Sequence, residues 1–110
     1  MTYDEGLYNL KAGVLKAIAH PARLAMVEAL GKGELCVCEL QALVGSDMST
    51  VSKHLSVLRN AGVVTSRKKG LWMYYQLCCP CILDFLDCID AVIRTDAELK
   101  MSVCKTIDTP

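Results

Sequence analysis

The stretch SDMSTVSKHLSVLRNAG, residues 46–62, decides the predicted fold of this chain of 110 residues. Asp47 suits the N-cap position of a helix, because its carboxylate can accept hydrogen bonds from the unpaired N–H groups of the first turn. Three apolar residues then recur at helical spacing on one face: Val51, Leu55 and Leu58. Gly62 ends this pattern. The sequence therefore predicts a helix over about 47–61 with one buried face and one polar face.

Three further helices are predicted before this one. The first has an apolar stripe at positions i, i+3, i+7 and i+11: Leu7, Leu10, Val14 and Ile18. The second begins at Pro21, which fits the first helical position and disfavours helical geometry at His20. The third is short, spans about 36–44 and ends at Gly45. A short helix, a tight glycine-containing turn and a second helix with a polar outer face form the helix-turn-helix pattern.

Residues 63–77, VVTSRKKGLWMYYQL, change from helical to strand periodicity. They predict two strands, over 63–66 and 71–77, joined by a turn at KKG. The tip of this hairpin is therefore basic. A helix-turn-helix followed by a hairpin with a basic tip is the pattern of a winged helix, in which the hairpin is called the wing.

A last helix is predicted over about 80–98, with Pro80 at its start. Its apolar stripe is wide for a helix at the end of a small domain, so we expect it to pack against a second subunit. The predicted fold is therefore mainly α with one β-hairpin. We expect a winged helix-turn-helix that spans residues 1–110 as a single domain and forms a homodimer.

Charge is unevenly distributed along the chain, although the formal net charge is zero. Residues 48–83 contain five of the twelve Lys and Arg residues and no Asp or Glu. A basic centre in an otherwise acidic chain favours a face that binds a polyanion such as DNA. The alternative is an ordinary solvated face without a ligand.

Double-stranded DNA would be contacted by two sets of residues. The second helix of a helix-turn-helix enters the major groove, where short polar side chains reach base edges and phosphates. The exposed residues expected to do so are Ser49, Thr50, Ser52, Lys53 and His54. The hairpin residues expected to contact the flanking backbone or the minor groove are Arg67, Lys68 and Lys69.

Seven cysteines are present, and the expected compartment affects their interpretation. The first residues are acidic and no apolar stretch follows a basic start, so we expect no secretory signal. No apolar run approaches the ~20 residues of a membrane span. We therefore expect a cytoplasmic protein without membrane contact. Disulfides are rare there, which favours metal binding or redox chemistry for some of the cysteines.

Cys36 and Cys38 lie at the start of the predicted third helix, where the helix N-terminus favours a thiolate. A regular helix turns by ~100° per residue, so their side chains would point ~200° apart. Binding of one ion by both thiolates would then have to distort the first turn. Because that turn leads toward Asp47, such a distortion would reach the helix over 47–61.

Four segments, in this order, closely resemble the ArsR/SmtB winged-helix repressors: HPARLAMVEAL (20–30), ELCVCEL (34–40), STVSKHLSVLRNAGVV (49–64) and RKKGLWMYYQL (67–77). The resemblance covers about residues 8–93. It implies a transcriptional repressor that binds an imperfect palindrome of operator DNA and is released when it binds a metal or metalloid. It also implies a homodimer formed by the first and last helices, and no enzymatic activity.

The segment ELCVCEL resembles the arsenic- and cadmium-responsive members of the family, which implies that Cys36 and Cys38 bind the inducer. Arsenic repressors of this type have a third cysteine three residues further on, where this chain has Gln41. As(III) and Sb(III) favour three thiolates, and the soft ions Cd(II) and Pb(II) also favour thiolate ligands. The cysteines that would complete this site, from the same or the partner subunit, or form a separate one, are Cys78, Cys79 and Cys81.

The cysteines allow three other interpretations. Cys78 and Cys81 form a Cys-x-x-Cys motif typical of thiol–disulfide oxidoreductases, but no βαβ unit surrounds it, so we expect no enzyme. A repressor of the same fold that is switched by a disulfide is the second interpretation, and a nucleic-acid-binding protein without a ligand is the third. We expect Cys88 to pack in the core, and the sequence gives Cys104 no clear role.

Overall fold

The structure, a computed structural model, describes residues 2–108 of the backbone and 2–101 of the side chains. The chain divides into two compact units, Met1–Pro80 and Cys81–Pro110. Within the described residues, the elements of the first unit are α1 (Glu5–Ile18), α2 (Pro21–Leu30), β1 (Leu35–Cys36), α3 (Val37–Val44), α4 (Met48–Asn60), β2 (Val64–Lys69) and β3 (Trp72–Leu77). The second unit contains α5 (Ile82–Asp108).

Local hydrogen bonds explain where the first helices begin. Asp4 is the N-cap of α1, and its Oδ1 accepts a hydrogen bond from the Leu7 N–H at 3.0 Å. His20 is the N-cap of α2, and its Nδ1 accepts a hydrogen bond from the Ala22 N–H at 3.1 Å. Pro21 occupies the first position of α2, which confirms the predicted helix boundary.

The helix-turn-helix consists of α3 and α4. Gly45 ends α3 with a φ of 71°, a left-handed conformation that glycine adopts at no steric cost. Asp47 is the N-cap of α4, and its Oδ1 accepts a hydrogen bond from the Thr50 N–H at 2.8 Å. Gln41 joins the two helices through the turn, because its Nε2 donates to the Ser46 carbonyl at 3.4 Å. The predicted cap and turn are therefore confirmed.

A three-stranded antiparallel sheet has the order β1-β3-β2, with β1 before the helix-turn-helix in sequence and β2 and β3 after it. The wing is the β2–β3 hairpin, in which Gly70, with a φ of 62°, opens a two-residue turn. The sequence analysis missed β1, which has only two residues. It also placed the basic residues at the tip of the wing, whereas Arg67 and Lys69 lie on β2 and the turn is formed by Gly70 and Leu71.

The core of the first unit comes from α2, α3, α4 and β2. Its fully buried side chains are Met26, Val27, Leu40, Val51, Leu55, Leu58 and Val64. The apolar stripe predicted for α4 is therefore confirmed. On α1 only the end of the predicted stripe is buried: Ile18 is 4% exposed, but Leu10 is 72% exposed. Most of the apolar face of α1 is thus available for another contact.

The last helix is longer than predicted, because α5 continues to Asp108 instead of ending near residue 98. Several of its large apolar side chains are exposed: Phe85, Ile89, Val92, Ile93, Leu99 and Met101. Cys88 is also exposed, so the prediction that it packs in the core is wrong. Cys104 lies outside the described side chains. In the part of the chain that the structure describes, no helix has the length and apolar character that a membrane span requires.

Candidate nucleic-acid interface and thiol pair

The thiols of Cys36 and Cys38 face each other, with their Sγ atoms 2.8 Å apart. Cys36 is the last residue of β1 and the N-cap of α3, and its backbone is extended, with a φ of −81° and a ψ of 160°. The helical rotation of ~100° per residue therefore does not separate the two side chains. The predicted divergence is wrong, and α3 can stay regular while one ion contacts both sulfur atoms.

The contact between the two thiols affects the protonation of Cys38. The hydrogen bond shared with Cys36 raises the pKa of the Cys38 thiol, and desolvation and the charge of Cys36 raise it further. This opposes the expectation that the helix N-terminus lowers the pKa of Cys38. A divalent ion such as Cd(II) binds thiolates and must displace these protons, so its affinity should increase as the pH rises.

A third ligand is not assembled around the pair. Within the described residues, no group of three or more His, Cys, Asp or Glu side chains has the arrangement of a metal site. Cys36 is opposite Tyr74 in β3, and Cys78 follows Tyr74 by four residues. At about 3.3 Å per residue, Cys78 is roughly 13 Å further along the chain. Cys78, Cys79 and Cys81 are all exposed, which leaves them accessible to ligands.

The outward face of α4 contains fewer of the predicted residues than the sequence suggested. Ser49, Ser52 and Lys53 are exposed, but Thr50 and His54 are half-buried. The prediction that all five residues are exposed is therefore wrong for two of them. A DNA contact by Thr50 or His54 stays a prediction, and the residues fully available to a major groove are Ser49, Ser52 and Lys53.

His54 joins α4 to the start of α2. Its ring lies 4.4 Å from the His20 ring, measured between centroids. Arg23 Nη1 lies 3.1 Å from His54 Nδ1, and Arg23 Nε donates to the Ala17 carbonyl. A guanidinium can only donate, so His54 must accept through Nδ1. Protonation of that nitrogen would break the hydrogen bond and place two cations side by side.

The stability of the protein should therefore depend on pH through His54. Burial, then the charges of His20 and Arg23, lower the pKa of His54 below its ordinary value, so the unfolded chain binds the proton more readily. As the pH falls from about 7.5 to 5.5, through the ordinary value of about 6.5, the free energy of unfolding of the wild-type protein should decrease. Urea denaturation of His54→Gln should show a weaker decrease.

Carboxylates should not obscure this result. The pKa values of Glu34 and Asp47 are lowered by their hydrogen bonds, so their stabilisation is lost only as the pH falls through their ordinary values near 4. The pH range from about 7.5 to 5.5 lies above the pH at which this stabilisation is lost. An equal pH dependence of wild type and His54→Gln would contradict the assigned role of His54.

The basic residues of the wing have an acidic partner that the sequence analysis missed. Glu34 Oε2 lies 2.9 Å from Arg67 Nε, and Glu34 Oε1 lies 2.7 Å from Lys69 Nζ. Hydrogen bonds from Lys69 and then Arg67 lower the pKa of Glu34. The sequence contained no signal for this contact, because it depends on β1, a strand of two residues that places Glu34 beside the wing. Lys68 is exposed, and no ion pair forms at Lys68 among the described residues.

Known proteins match most of this chain. Residues 20–66 match the family model described as bacterial regulatory protein, arsR family. The HTH-type transcriptional regulator Rv0081 of Mycobacterium tuberculosis is 43% identical over 84 residues, which cover 76% of this chain and 74% of that protein. The crystal structure of Rv0081 aligns with a TM-score of 0.79 and 37% identity, over 89% of this chain and 99% of that chain.

Two further proteins are similar over shorter or more divergent alignments. The arsenical resistance operon repressor of Escherichia coli is 38% identical over 71 residues, which cover 64% of this chain and 61% of that protein. A homodimeric winged helix-turn-helix DNA-binding domain of Mycobacterium bovis aligns with a TM-score of 0.75 and 26% identity, over 88% of this chain and 92% of that chain. With the helix-turn-helix and wing described above, these matches show that the chain belongs to the ArsR family of bacterial transcriptional regulators.

Proposed function

We propose that this chain represses transcription by binding operator DNA as a homodimer, and that As(III) or Sb(III) releases it by binding the thiolates of Cys36 and Cys38. The observation on which the proposal depends is the 2.8 Å separation of the two Sγ atoms at the start of α3. Two thiols this close can bind one thiophilic ion without unfolding the helix.

The DNA-binding part of the proposal is supported by the exposed faces of α4 and the wing. Ser49, Ser52 and Lys53 are exposed on α4, where short hydroxyl side chains can contact base edges and a lysine can neutralise a phosphate. Arg67, Lys68 and Lys69 are exposed on β2 and would contact the flanking backbone or the minor groove. The similarity to a homodimeric DNA-binding domain supports the same arrangement.

The homodimer is supported by apolar side chains that the single chain leaves exposed. On α1, Leu10 is 72% exposed, and on α5, Val92 and Ile93 are 67% and 63% exposed. Exposed apolar faces on two helices of a small protein are typical of surfaces that bind another subunit. We therefore propose that α1 and α5 form the dimer interface. The α4 helices of the two protomers would then each enter one of two half-sites that lie about one DNA turn apart.

The inducer chemistry follows from the thiol pair. Cys36 and Cys38 would each give a proton to a hydroxide of arsenous acid, which leaves as water while an As–S bond forms. A third thiolate would come from Cys78, Cys79 or Cys81 of the same or the partner subunit, since Gln41 has no sulfur to offer. Cd(II) and Pb(II) are alternative inducers, because they share the preference for thiolates.

Release of DNA would follow from the connection between α3 and α4. The ion would bind at the first turn of α3, and Gln41 of that helix donates a hydrogen bond to the carbonyl of Ser46 in the turn that leads to α4. An inducer that binds better to the arrangement unable to contact DNA shifts the population toward it. The coupling is therefore allosteric, with separate sites for the ion and for DNA.

A redox switch is the second candidate function, and the same distance favours it. Sγ atoms 2.8 Å apart need to move by less than about 1 Å to reach the ~2.05 Å of a disulfide. An oxidant that accepts two electrons and two protons would close the Cys36–Cys38 bond. This switch would need no ion.

The experiment that distinguishes these functions measures DNA release under strictly reducing conditions. A fluorescent duplex of about 30 base pairs from upstream of the gene would be long enough for two half-sites. Arsenite should lower its anisotropy in complex with wild-type protein, and X-ray absorption should count three sulfur ligands on arsenic. Release only after addition of an oxidant would contradict the metalloid function and favour the redox switch.

A further inference from the structure

One carboxylate, that of Glu34, forms ion pairs with two of the three basic residues of the wing. Glu34 contacts Arg67 at 2.9 Å and Lys69 at 2.7 Å. The Glu34 side chain is only 17% exposed, whereas those of Arg67 and Lys69 are 62% and 48% exposed. The carboxylate is thus largely covered, while both cations remain accessible to a polyanion.

The backbone places this ion-pair cluster, formed by Glu34, Arg67 and Lys69, next to the thiols. Glu34 lies two residues before Cys36, which is opposite Tyr74 in β3. Tyr74 is in turn opposite Arg67 in β2, and Lys69 Nζ lies 5.0 Å from the centroid of the Tyr74 ring. A displacement of β1 would therefore change the position of Glu34 relative to both cations.

We propose that Glu34 is an internal counter-ion that competes with DNA phosphates for Arg67 and Lys69, and so limits the affinity of the wing for DNA. This inference rests on the proposed DNA-binding function. Exposed ion pairs are individually weak, so a phosphate can replace the carboxylate at either cation. The two cations thus have two alternative partners, the Glu34 carboxylate and a DNA phosphate.

The charge of Glu34 is maintained at neutral pH. A glutamate carboxyl is ordinarily ionised at this pH, so Glu34 competes with phosphate as a full anion. Lys68 lies between the two paired cations on β2 and is not part of the cluster. Its contact with DNA should therefore be independent of Glu34, which makes it an internal comparison.

The variant Glu34→Gln tests the proposal, because it removes the charge and keeps the size of the side chain. It should bind the duplex of about 30 base pairs about threefold to tenfold more tightly than wild type at about 100 mM salt. The slope of log K against log salt should become steeper by about one to two, since each cation transferred to a phosphate contributes about 0.9. Glu28→Gln, on the exposed side of α2, makes the same change in charge and should leave the slope unchanged.

A second measurement compares Arg67→Ala in the two backgrounds. Arg67→Ala should weaken DNA binding more in the Glu34→Gln protein than in wild type, whereas Lys68→Ala should have the same effect in both. Equal or weaker DNA binding by Glu34→Gln, or an Arg67→Ala effect that does not depend on Glu34, would overturn the inference. Failure of the wild-type protein to bind the duplex would instead overturn the proposed function, and this inference with it.

Discussion

A variant with both Cys36→Ser and Cys38→Ser is expected to bind DNA like the wild-type protein and to stay bound when arsenite is added. The two Sγ atoms are the soft ligands brought together at α3, and a serine hydroxyl is a poor ligand for a thiophilic ion. The arsenite concentration for half-release should rise by more than about 100-fold, which is more than about 2.7 kcal/mol of binding free energy. Anisotropy of the labelled duplex under reducing conditions measures this concentration.

Two control variants make this result specific. Cys88→Ser removes an exposed thiol of α5 and should leave release unchanged. A triple variant with serine at Cys78, Cys79 and Cys81 tests the proposed source of the third thiolate and should weaken release without preventing DNA binding. If arsenite releases the double variant from DNA at the same concentration as wild type, the assignment of Cys36 and Cys38 is wrong. The inducer would then bind the later cysteines. Circular dichroism should confirm that each variant is folded.

The parts of the fold that the sequence predicted well are those with local causes. Pro21 begins α2, Gly45 ends α3 and Asp47 caps α4, because each acts on the backbone within a few residues of itself. The stripe buried on α4 follows from helical periodicity in the same way. Local signals were therefore sufficient to predict the helix-turn-helix.

The geometry of the thiol pair was not predictable in this way. A strand of two residues, Leu35–Cys36, has no periodicity of its own, and it exists only because β3 offers hydrogen bonds to it. Without that strand Cys36 belongs to a helix and points away from Cys38. With it, Cys36 is extended and the two thiols meet. The error in the predicted geometry thus comes from the pairing of β1 with β3, two strands that lie far apart in the sequence.

Contacts between distant polar residues account for the other differences. His54 packs against His20 and Arg23, and Glu34 pairs with two cations of the wing. Helical spacing identifies the buried apolar stripe of α4, but it does not tell which polar residue beside the stripe finds a partner elsewhere. Charge patterning likewise showed a basic segment without showing that part of it is neutralised internally.

Lys53→Glu is expected to lower operator affinity by more than about 100-fold, because Lys53 is an exposed cation of α4 that we propose contacts a DNA phosphate. Its side chain is exposed in the second turn of α4, next to Ser52 and about one helical turn after Ser49. The substitution removes one phosphate contact and places a carboxylate against the DNA backbone, and like charges juxtaposed at an interface cost several kcal/mol. The salt slope should become shallower by about one.

Lys100→Glu is the matched control, because it makes the same change in net charge on α5. Lys100 is 75% exposed and pairs with Asp96 within its own helix, a surface ion pair whose loss costs about 0–1 kcal/mol of stability. Lys100→Glu should therefore retain operator affinity within about threefold. Lys53→Glu should act through contact with DNA, whereas Lys100→Glu should act only through the overall charge. Equal losses of operator affinity in the two variants would therefore mean that the outward face of α4 does not contact DNA.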